Sequence, residues 1–214
     1  MAGCELRDSK PGHPSWRFFG NWLLAGTIGW GLSYLALWAV ALAVHIFVSG
    51  LGESFLFIAS LPTIAAVVGV FQWLAMRGQV EHSGRWFLAS ILGSVLWALA
   101  LQYSRGRLAD LTREASAVRL FVMFLYIAGA GGLIGTLQWI LVLRPNVRHG
   151  YLWVPASSLG WAVAHLEWVW DFGFGMGITA VTIRRALLGT MFGVVTGLCL
   201  LGLLRYSGRT KPGT

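Results

Sequence analysis

Charged residues are scarce in this sequence, and their scarcity excludes most soluble folds. Only 11% of its 214 residues are Asp, Glu, Lys or Arg, whereas 57% are hydrophobic. A soluble domain carries about 25% of its residues as charged side chains. Acidic residues are scarcer than basic ones, with 8 Asp and Glu against 16 Lys and Arg. We therefore expect a chain that folds in a lipid bilayer rather than in water.

Cysteine and the common catalytic motifs are also scarce or absent. The two cysteines, Cys4 in the polar N-terminal tail and Cys199 in the last apolar segment, lie in settings too different to predict a disulfide. No H-E-x-x-H, Walker A or Gly-x-Ser-x-Gly motif occurs, and His165-Leu166-Glu167 lacks the cysteine pair that a zinc deaminase needs. We expect no enzyme activity, no catalytic or metal-binding residues and no cofactor.

The sequence contains several long segments without charged residues. Five of them have 19 or more residues without Asp, Glu, Lys or Arg, and a sixth is slightly shorter. About 20 apolar residues in a helix cross the hydrocarbon core of a bilayer. The sequence therefore predicts an all-α bundle of six transmembrane helices. The predicted helices cover 19–48, 55–76, 86–104, 118–143, 151–171 and 180–204.

Polar segments flank and separate these spans. Residues 1–17 are predicted to form a polar N-terminal tail, 18–205 the membrane domain and 206–214 a polar C-terminal tail. The first 17 residues lack the apolar region of a cleavable signal peptide. Between the third and fourth spans, 103–119 is predicted to form a short amphipathic helix on the outer membrane surface or an ordinary solvated loop.

The distribution of Lys and Arg predicts the orientation of the bundle. With six spans both termini lie on one side, which holds ten Lys and Arg against six on the other. Because cytoplasmic loops carry the excess of positive charge, both termini are expected in the cytoplasm. The net charge of +8 reflects these flanking residues and their attraction to anionic lipid. The lipid bilayer is therefore the expected partner, and nucleic acid is not.

Two recurring patterns predict a repeated helical hairpin. The pattern Trp-x-x-Ala-x-x-x-Gly begins at Trp22, Trp86 and Trp153. A second pattern places a small residue and a glycine before Gln-Trp at Gln72 and Gln138, and Thr196 replaces the amide in a weaker third copy. The three Trp copies are 64 and 67 residues apart, and Gln72 and Gln138 are 66 apart, so three parallel hairpins are predicted at about 19–76, 86–143 and 151–204.

Each element of these patterns has a physical interpretation. Small residues four apart allow helix backbones to approach closely in lipid. The candidate helix-packing residues are Ala25, Gly29, Ala89, Gly93, Gly131, Gly135, Ala156, Gly160, Gly189, Gly193 and Gly197. The leading tryptophans, with Trp73 and Trp139, are expected in the interfacial aromatic belt. Gln72, Gln138 and Thr196 are expected either to form interhelical hydrogen bonds or to form a polar ring around a pore.

The fifth span differs from its counterparts by carrying ionisable residues. At about 1.5 Å per residue, His165 and Glu167 lie about 18 and 21 Å beyond Trp153, within a hydrocarbon core about 30 Å thick. Asp171 follows one helical turn after Glu167. Ionisable residues at such depth often mark a functional site, so these three form a candidate intramembrane polar site. Alternatively, the helix is short and Glu167 reaches water, or His165 binds haem or bacteriochlorophyll.

Three strings resemble those of a group of multi-spanning bacterial membrane proteins. They are 69–74 (Gly-Val-Phe-Gln-Trp-Leu), 135–140 (Gly-Thr-Leu-Gln-Trp-Ile) and 153–161 (Trp-Val-Pro-Ala-Ser-Ser-Leu-Gly-Trp). In this group, common in cyanobacteria and green non-sulfur bacteria, even helices end in Gln-Trp followed by Leu-Arg. Leu143-Arg144 matches that ending and Met76-Arg77 differs from it. The resemblance covers most of the membrane region and implies a bacterial inner-membrane protein without an assigned activity.

Two functional hypotheses of different kinds follow. The first is a small channel or carrier for an ion or small solute, with His165, Glu167 and Asp171 along its polar path. The second is a structural or accessory subunit of a larger membrane complex, such as a photosynthetic one, with membrane-protein partners or further copies of itself. An intramembrane enzyme that uses His165 as a base is a third interpretation.

Overall fold

The structure, a computed structural model, describes residues 16–47, 53–111, 116–165 and 177–209. These residues form helices and connecting turns, and none of them lies in a strand. The main helices are α1 (Trp16–Phe47), α2 (Glu53–Met76), α3 (Gly84–Leu111), α4 (Ser116–Gln138), α5 (Trp153–Ala164) and α6 (Ile178–Arg209). The all-α class expected from the sequence is therefore confirmed.

Five of these helices are long and apolar enough to cross a bilayer. They are α1, α2, α3, α4 with the turns that follow it, and α6. The fifth predicted span, 151–171, is described only as far as His165, and within it α5 covers the 12 residues Trp153–Ala164. The bundle thus has the length and composition of a polytopic membrane protein.

Two helix boundaries differ from the prediction in an informative way. The segment 103–111 continues α3 to Leu111 and does not begin a separate surface helix. Charged residues mark the end of an apolar span without breaking a helix, and the single Gly106 is tolerated there. Similarly, the backbone after α4 continues through a π-helical turn, Trp139–Leu143, which no local sequence signal predicts.

The six helices close into a ring. Each packs mainly on its neighbours in chain order, from α1 on α2 through to α5 on α6. The most extensive contact joins α1 to α6, so the first and last helices complete the circle. The Oγ1 atoms of Thr27 in α1 and Thr190 in α6 lie 2.8 Å apart across this seam.

Apolar side chains on the outside of the ring match a lipid environment. Four leucines of α3 are more than half exposed and recur every three or four residues along one helical face. They are Leu88, Leu92, Leu96 and Leu99. In water such a stripe would mark an interaction or aggregation surface, whereas in a bilayer it contacts lipid.

Several polar side chains lie in the interior of the ring. The buried polar residues among those described are Ser33, Gln72, Ser90, Ser94, Gln138, Ser157, His165 and Thr196. Every one of them takes part in a hydrogen bond. This pairing is required because an unsatisfied polar group away from water costs several kcal/mol, roughly 2–7.

Glycines bring neighbouring helices close together around the whole ring. A Cβ atom added to Gly93 in α3 would lie 2.8 Å from the Cα of Ile134 in α4. Similar approaches occur at Gly29 against Val68 and at Gly160 against Phe192. Gly69, Gly135 and Gly193 fill the same role where α2, α4 and α6 meet the following helix of the ring.

Candidate functional site

A cluster of three tryptophans fills one half of the bundle. Trp22, Trp86 and Trp153 lie near the starts of α1, α3 and α5, and each is at most 1% exposed. Their ring centroids are 5.8, 5.8 and 5.1 Å apart. The prediction that these residues anchor the protein in the interfacial belt is therefore wrong. They face one another because the small residues that share their helices bring the backbones close enough for the rings to meet.

Each indole N–H of the Trp cluster donates to a side chain of an even-numbered helix. Trp86 Nε1 donates to Gln72 Oε1 at 3.0 Å, and Trp153 Nε1 donates to Gln138 Oε1 at 2.8 Å. Trp22 Nε1 donates to Thr196 Oγ1 at 3.0 Å. The two amides and the threonine at the repeated positions thus serve as acceptors for the three rings.

Gln138 makes a second interhelical contact. Its Nε2 donates to Ser90 Oγ in α3 at 2.9 Å, while its oxygen accepts from Trp153 in α5. The cavity beside these amides has a volume of about 10 Å³. That is room for about one water molecule. The polar positions therefore join helices and do not surround an open pore in this half.

A larger cavity, which we call the central pocket, lies in the opposite half. Its volume is about 120 Å³. Each of the six helical segments contributes to its lining. Representative residues, in chain order, are Leu37, Ser60, Trp97, Tyr126, His165 and Arg185. Aromatic and aliphatic side chains make up most of the wall, and a few polar groups converge on it, as in many small-molecule sites.

His165 is held rigidly at the wall of the central pocket. It is 4% exposed and follows the last residue of α5. Its Nδ1 lies 2.9 Å from the carbonyl oxygen of Trp161, so Nδ1 carries the proton and donates. The imidazole stacks on Trp161 at 5.6 Å and meets the edge of Trp30 at 5.1 Å. These contacts fix both the position and the tautomer of the ring.

The other two members of the candidate polar site, Glu167 and Asp171, lie outside the described residues. The structure brings different residues to His165 instead. Trp97 of α3 and Tyr126 of α4 form an aromatic pair with centroids 5.7 Å apart, and both line the pocket with Arg185 of α6.

Sequence reasoning did not single out these three residues, although one signal was available. Trp97 follows Trp86 by 11 residues, and the corresponding positions of the other copies hold Ser33 and Ala164. A bulky ring at one copy of a repeated small position indicates a local departure from the repeat. Tyr126 and Arg185 belong to no recurring pattern.

The fold and the pocket together define a class: a polytopic helical membrane protein with a central small-molecule-sized cavity in one half and a Trp cluster in the other. No protein-family model, characterised protein or solved structure matches the chain.

Proposed function

We propose that this protein is a carrier for a small solute, with the central pocket as its binding site. The observation that carries the proposal is that all six helical segments line one pocket. A rearrangement between any two helices changes the shape of such a pocket and its access. Many carriers likewise hold their substrate at the interface between repeated units near the middle of the membrane.

A carrier accounts for the structure better than a permanently open channel. Conduction requires a continuous polar path through the bundle. Here the Trp cluster is buried, and the cavity next to Gln72 and Gln138 has only about 10 Å³. A solute in the central pocket can therefore cross the half that contains the Trp cluster only after the helices move.

The proposal includes an arrangement of three parallel hairpins around a pseudo-threefold axis along the membrane normal. Equivalent roles of Trp22, Trp86 and Trp153 within one cluster support it. Their three acceptors at repeated positions support it further. Glycines also occupy equivalent interfaces, with Gly29, Gly93 and Gly160 in one set and Gly69, Gly135 and Gly193 in the other. Membership of the resembling bacterial group, with an inner-membrane location, is part of the same proposal.

Both termini lie in the cytoplasm in this proposal, on the side richer in Lys and Arg. The Trp cluster then belongs to the cytoplasmic half, because α1, α3 and α5 begin there. The protein performs no chemical conversion of its solute. Labelling of single cysteines at positions 2 and 213 with a membrane-impermeant maleimide tests the orientation, and labelling of either one in intact cells contradicts it.

The carrier hypothesis is tested by uptake into liposomes that contain the purified protein. A mixture of benzoate, benzyltrimethylammonium, lactate, choline and erythritol is supplied outside at pH 8, and mass spectrometry measures the initial rate of entry of each. At least one solute is expected to enter faster than into empty liposomes. Ala130→Phe should abolish that gain, since Ala130 is 2% exposed and lines the pocket.

A matched variant controls for the added ring. Leu125→Phe lies on the same helix at a side chain that is 52% exposed, so it should retain uptake. Entry of every solute at the empty-liposome rate, with the protein folded and inserted, would overturn the carrier hypothesis. Equal loss of uptake in Ala130→Phe and Leu125→Phe would show that the pocket is not part of the transport path.

The accessory-subunit hypothesis is favoured by one observation. The half that contains the Trp cluster is packed so closely that Gly135 and Gly197 admit no added methyl group without a shift of a neighbour. A rigid bundle of this kind suits a scaffold. Gentle solubilisation from native membranes distinguishes the accessory-subunit hypothesis from the carrier hypothesis. An accessory subunit should co-purify with its partners in fixed proportion, and a carrier should not.

A further inference from the structure

The small cavity beside Gln72 and Gln138, which we call the amide cavity, is lined by polar side chains of four helices. Its volume is about 10 Å³. Gln72 of α2, Ser90 of α3, Gln138 of α4 and Ser157 of α5 line it, and each is at most 3% exposed. A buried water molecule needs about this much space and about two to four polar partners. The cavity therefore has the size and the lining of a site for a single water molecule.

The amide of Gln72 has an unpaired donor because the copies of the hairpin pattern differ at one position. An indole N–H group can only donate, so its hydrogen bond to Gln72 Oε1 at 3.0 Å fixes the orientation of the amide. In the second copy, Gln138 Nε2 donates to Ser90, which follows Trp86 by four residues. The corresponding residue of the first copy is Gly26, which has no hydroxyl. Among the residues that the structure describes, Gln72 Nε2 has no acceptor.

Close packing between the first and last helices explains the glycine at position 26. A Cβ atom added to Gly26 would lie 2.8 Å from the carbonyl oxygen of Gly189 in α6. The contact between α1 and α6 thus excludes the hydroxyl that would pair with the Gln72 amide. Because an unpaired donor away from water is destabilising, an acceptor in the amide cavity stabilises the bundle.

The chemistry of the lining selects a ligand that both accepts and donates hydrogen bonds. Ser90 Oγ donates to the carbonyl oxygen of Trp86 at 2.9 Å, and Ser157 Oγ donates to that of Gly131 at 2.8 Å. Because each hydroxyl has one hydrogen, both oxygens can only accept from a molecule in the cavity, whereas Gln72 Nε2 can only donate to it. A metal cation would face this donor and a halide would face the two acceptors. Water satisfies both kinds of group.

We infer that the amide cavity binds one water molecule, which accepts a hydrogen bond from Gln72 Nε2 and donates one to Ser157 Oγ. Ser157 is the acceptor because Ser90 Oγ already accepts from Gln138 Nε2. The water links α2 to α5, two helices that are not neighbours in the ring. This inference does not depend on the carrier hypothesis, since it concerns a site away from the central pocket.

A crystal or electron cryo-microscopy structure of the unaltered protein, sharp enough to show ordered water, tests the site directly. One peak is expected at about 2.5–3.2 Å from both Gln72 Nε2 and Ser157 Oγ. A crystal grown in rubidium bromide distinguishes water from an ion, because both rubidium and bromide give an anomalous signal. An empty cavity, or an anomalous signal inside it, would overturn the inference.

A double-mutant cycle tests the bridge in solution. Gln72→Met removes the donor and Ser157→Ala removes the acceptor, and unfolding by sodium dodecyl sulfate in mixed micelles gives the unfolding equilibrium constant of each variant. Loss of either partner already disrupts the bridge. The unfolding constant of the double variant should therefore be at least about 5-fold smaller than the product of the two single effects predicts.

A second buried serine provides the matched control. Ser94 of α3 is 0% exposed and does not appear among the residues that line the amide cavity. Gln72→Met and Ser94→Ala should therefore combine within about 2-fold of the product of their single effects. A coupling between Gln72 and Ser157 no larger than that between Gln72 and Ser94 would overturn the inference and would leave the carrier hypothesis unaffected.

Discussion

At the scale of single residues, three indole N–H groups and their acceptors organise the half of the bundle that contains the Trp cluster. Trp22, Trp86 and Trp153 place large apolar rings in the interior. Each ring carries one N–H group, which needs an acceptor there because it is away from water. The acceptors differ in the number of hydrogen bonds that they make and of helices that they join. Gln72 accepts one hydrogen bond, whereas Gln138 also donates to Ser90 and so ties α3, α4 and α5 together.

Replacement of Gln138 should therefore be more costly than replacement of Gln72. Gln138→Leu keeps the volume and leaves the Trp153 N–H without its acceptor, so we expect a loss of unfolding free energy of about 1–3 kcal/mol. Unfolding by sodium dodecyl sulfate in mixed micelles measures it. Adding Trp153→Phe should cost less in the Gln138→Leu background than alone, because the unpaired donor is removed.

A hydroxyl of the same helix provides the control for that experiment. Among the residues that the structure describes, Thr136 Oγ1 donates just to the carbonyl of Gly132 one turn earlier, at 2.7 Å. Thr136→Val should be close to neutral. If Gln138→Leu were no more destabilising than Thr136→Val, the hydrogen bonds of the Trp cluster would not stabilise the bundle.

At the scale of helices, glycine sets how closely neighbours pack. Hydrophobic burial gives little driving force between helices in lipid, so van der Waals contact between backbones has to replace it. Glycines occur at each of the six interfaces of the ring, and a Cβ added at Gly26, Gly93 or Gly160 would lie within 3.0 Å of an atom of the neighbouring helix. Their helices can therefore tolerate little added volume on the inner face, whereas the lipid-facing stripe of α3 can tolerate much.

Alanine at two glycines tests this difference. Gly93→Ala should destabilise the protein by about 1–3 kcal/mol, because its Cβ would lie 2.8 Å from a backbone atom of α4. Gly20→Ala meets no atom within 4 Å, so it should be neutral or stabilise α1 by up to about 1 kcal/mol. Thermal unfolding in one detergent compares them, and equal effects would count against close packing at the α3–α4 interface.

At the scale of the whole molecule, the ring is closed by contact between its first and last helices. Gly26, Gly189 and Gly193 allow α1 and α6 to approach, and Thr27 and Thr190 meet between them. No loop connects these two helices directly, so helix packing and the contact between Thr27 and Thr190 hold the seam closed.

A disulfide across the seam should form readily. Thr27→Cys with Thr190→Cys, in a background where Cys4 and Cys199 are serine, places two thiols where the hydroxyls lie 2.8 Å apart. That separation is compatible with disulfide geometry. Oxidation should shift the protein on a non-reducing gel. The pair Thr27→Cys and Thr136→Cys should not react, because α4 lies across the ring from α1, and equal reaction of both pairs would exclude a closed ring.

The sequence could predict the helices, but only part of the site. Helix position follows from long uncharged segments, and close packing from recurring small residues such as Gly93 and Gly135. The direction of Trp86 could not be predicted, since an aromatic ring near a helix end suits both the lipid interface and the interior. The central pocket could not be predicted from the sequence for another reason. Trp97, Tyr126 and Arg185 are brought together by three helices, and their separations along the chain carry no pattern.

The pairing of Trp22 with Thr196 has a consequence for biosynthesis. Gln72 emerges from the ribosome 14 residues ahead of Trp86, and Gln138 15 residues ahead of Trp153, so those two partners arrive almost together. Trp22 and its acceptor are separated by 174 residues. Because the N-terminal part of a chain is made first, that indole enters the membrane without its acceptor until α6 has been synthesised. A nascent chain truncated before α6 therefore retains an unpaired tryptophan, and such fragments should be favoured substrates of membrane quality control.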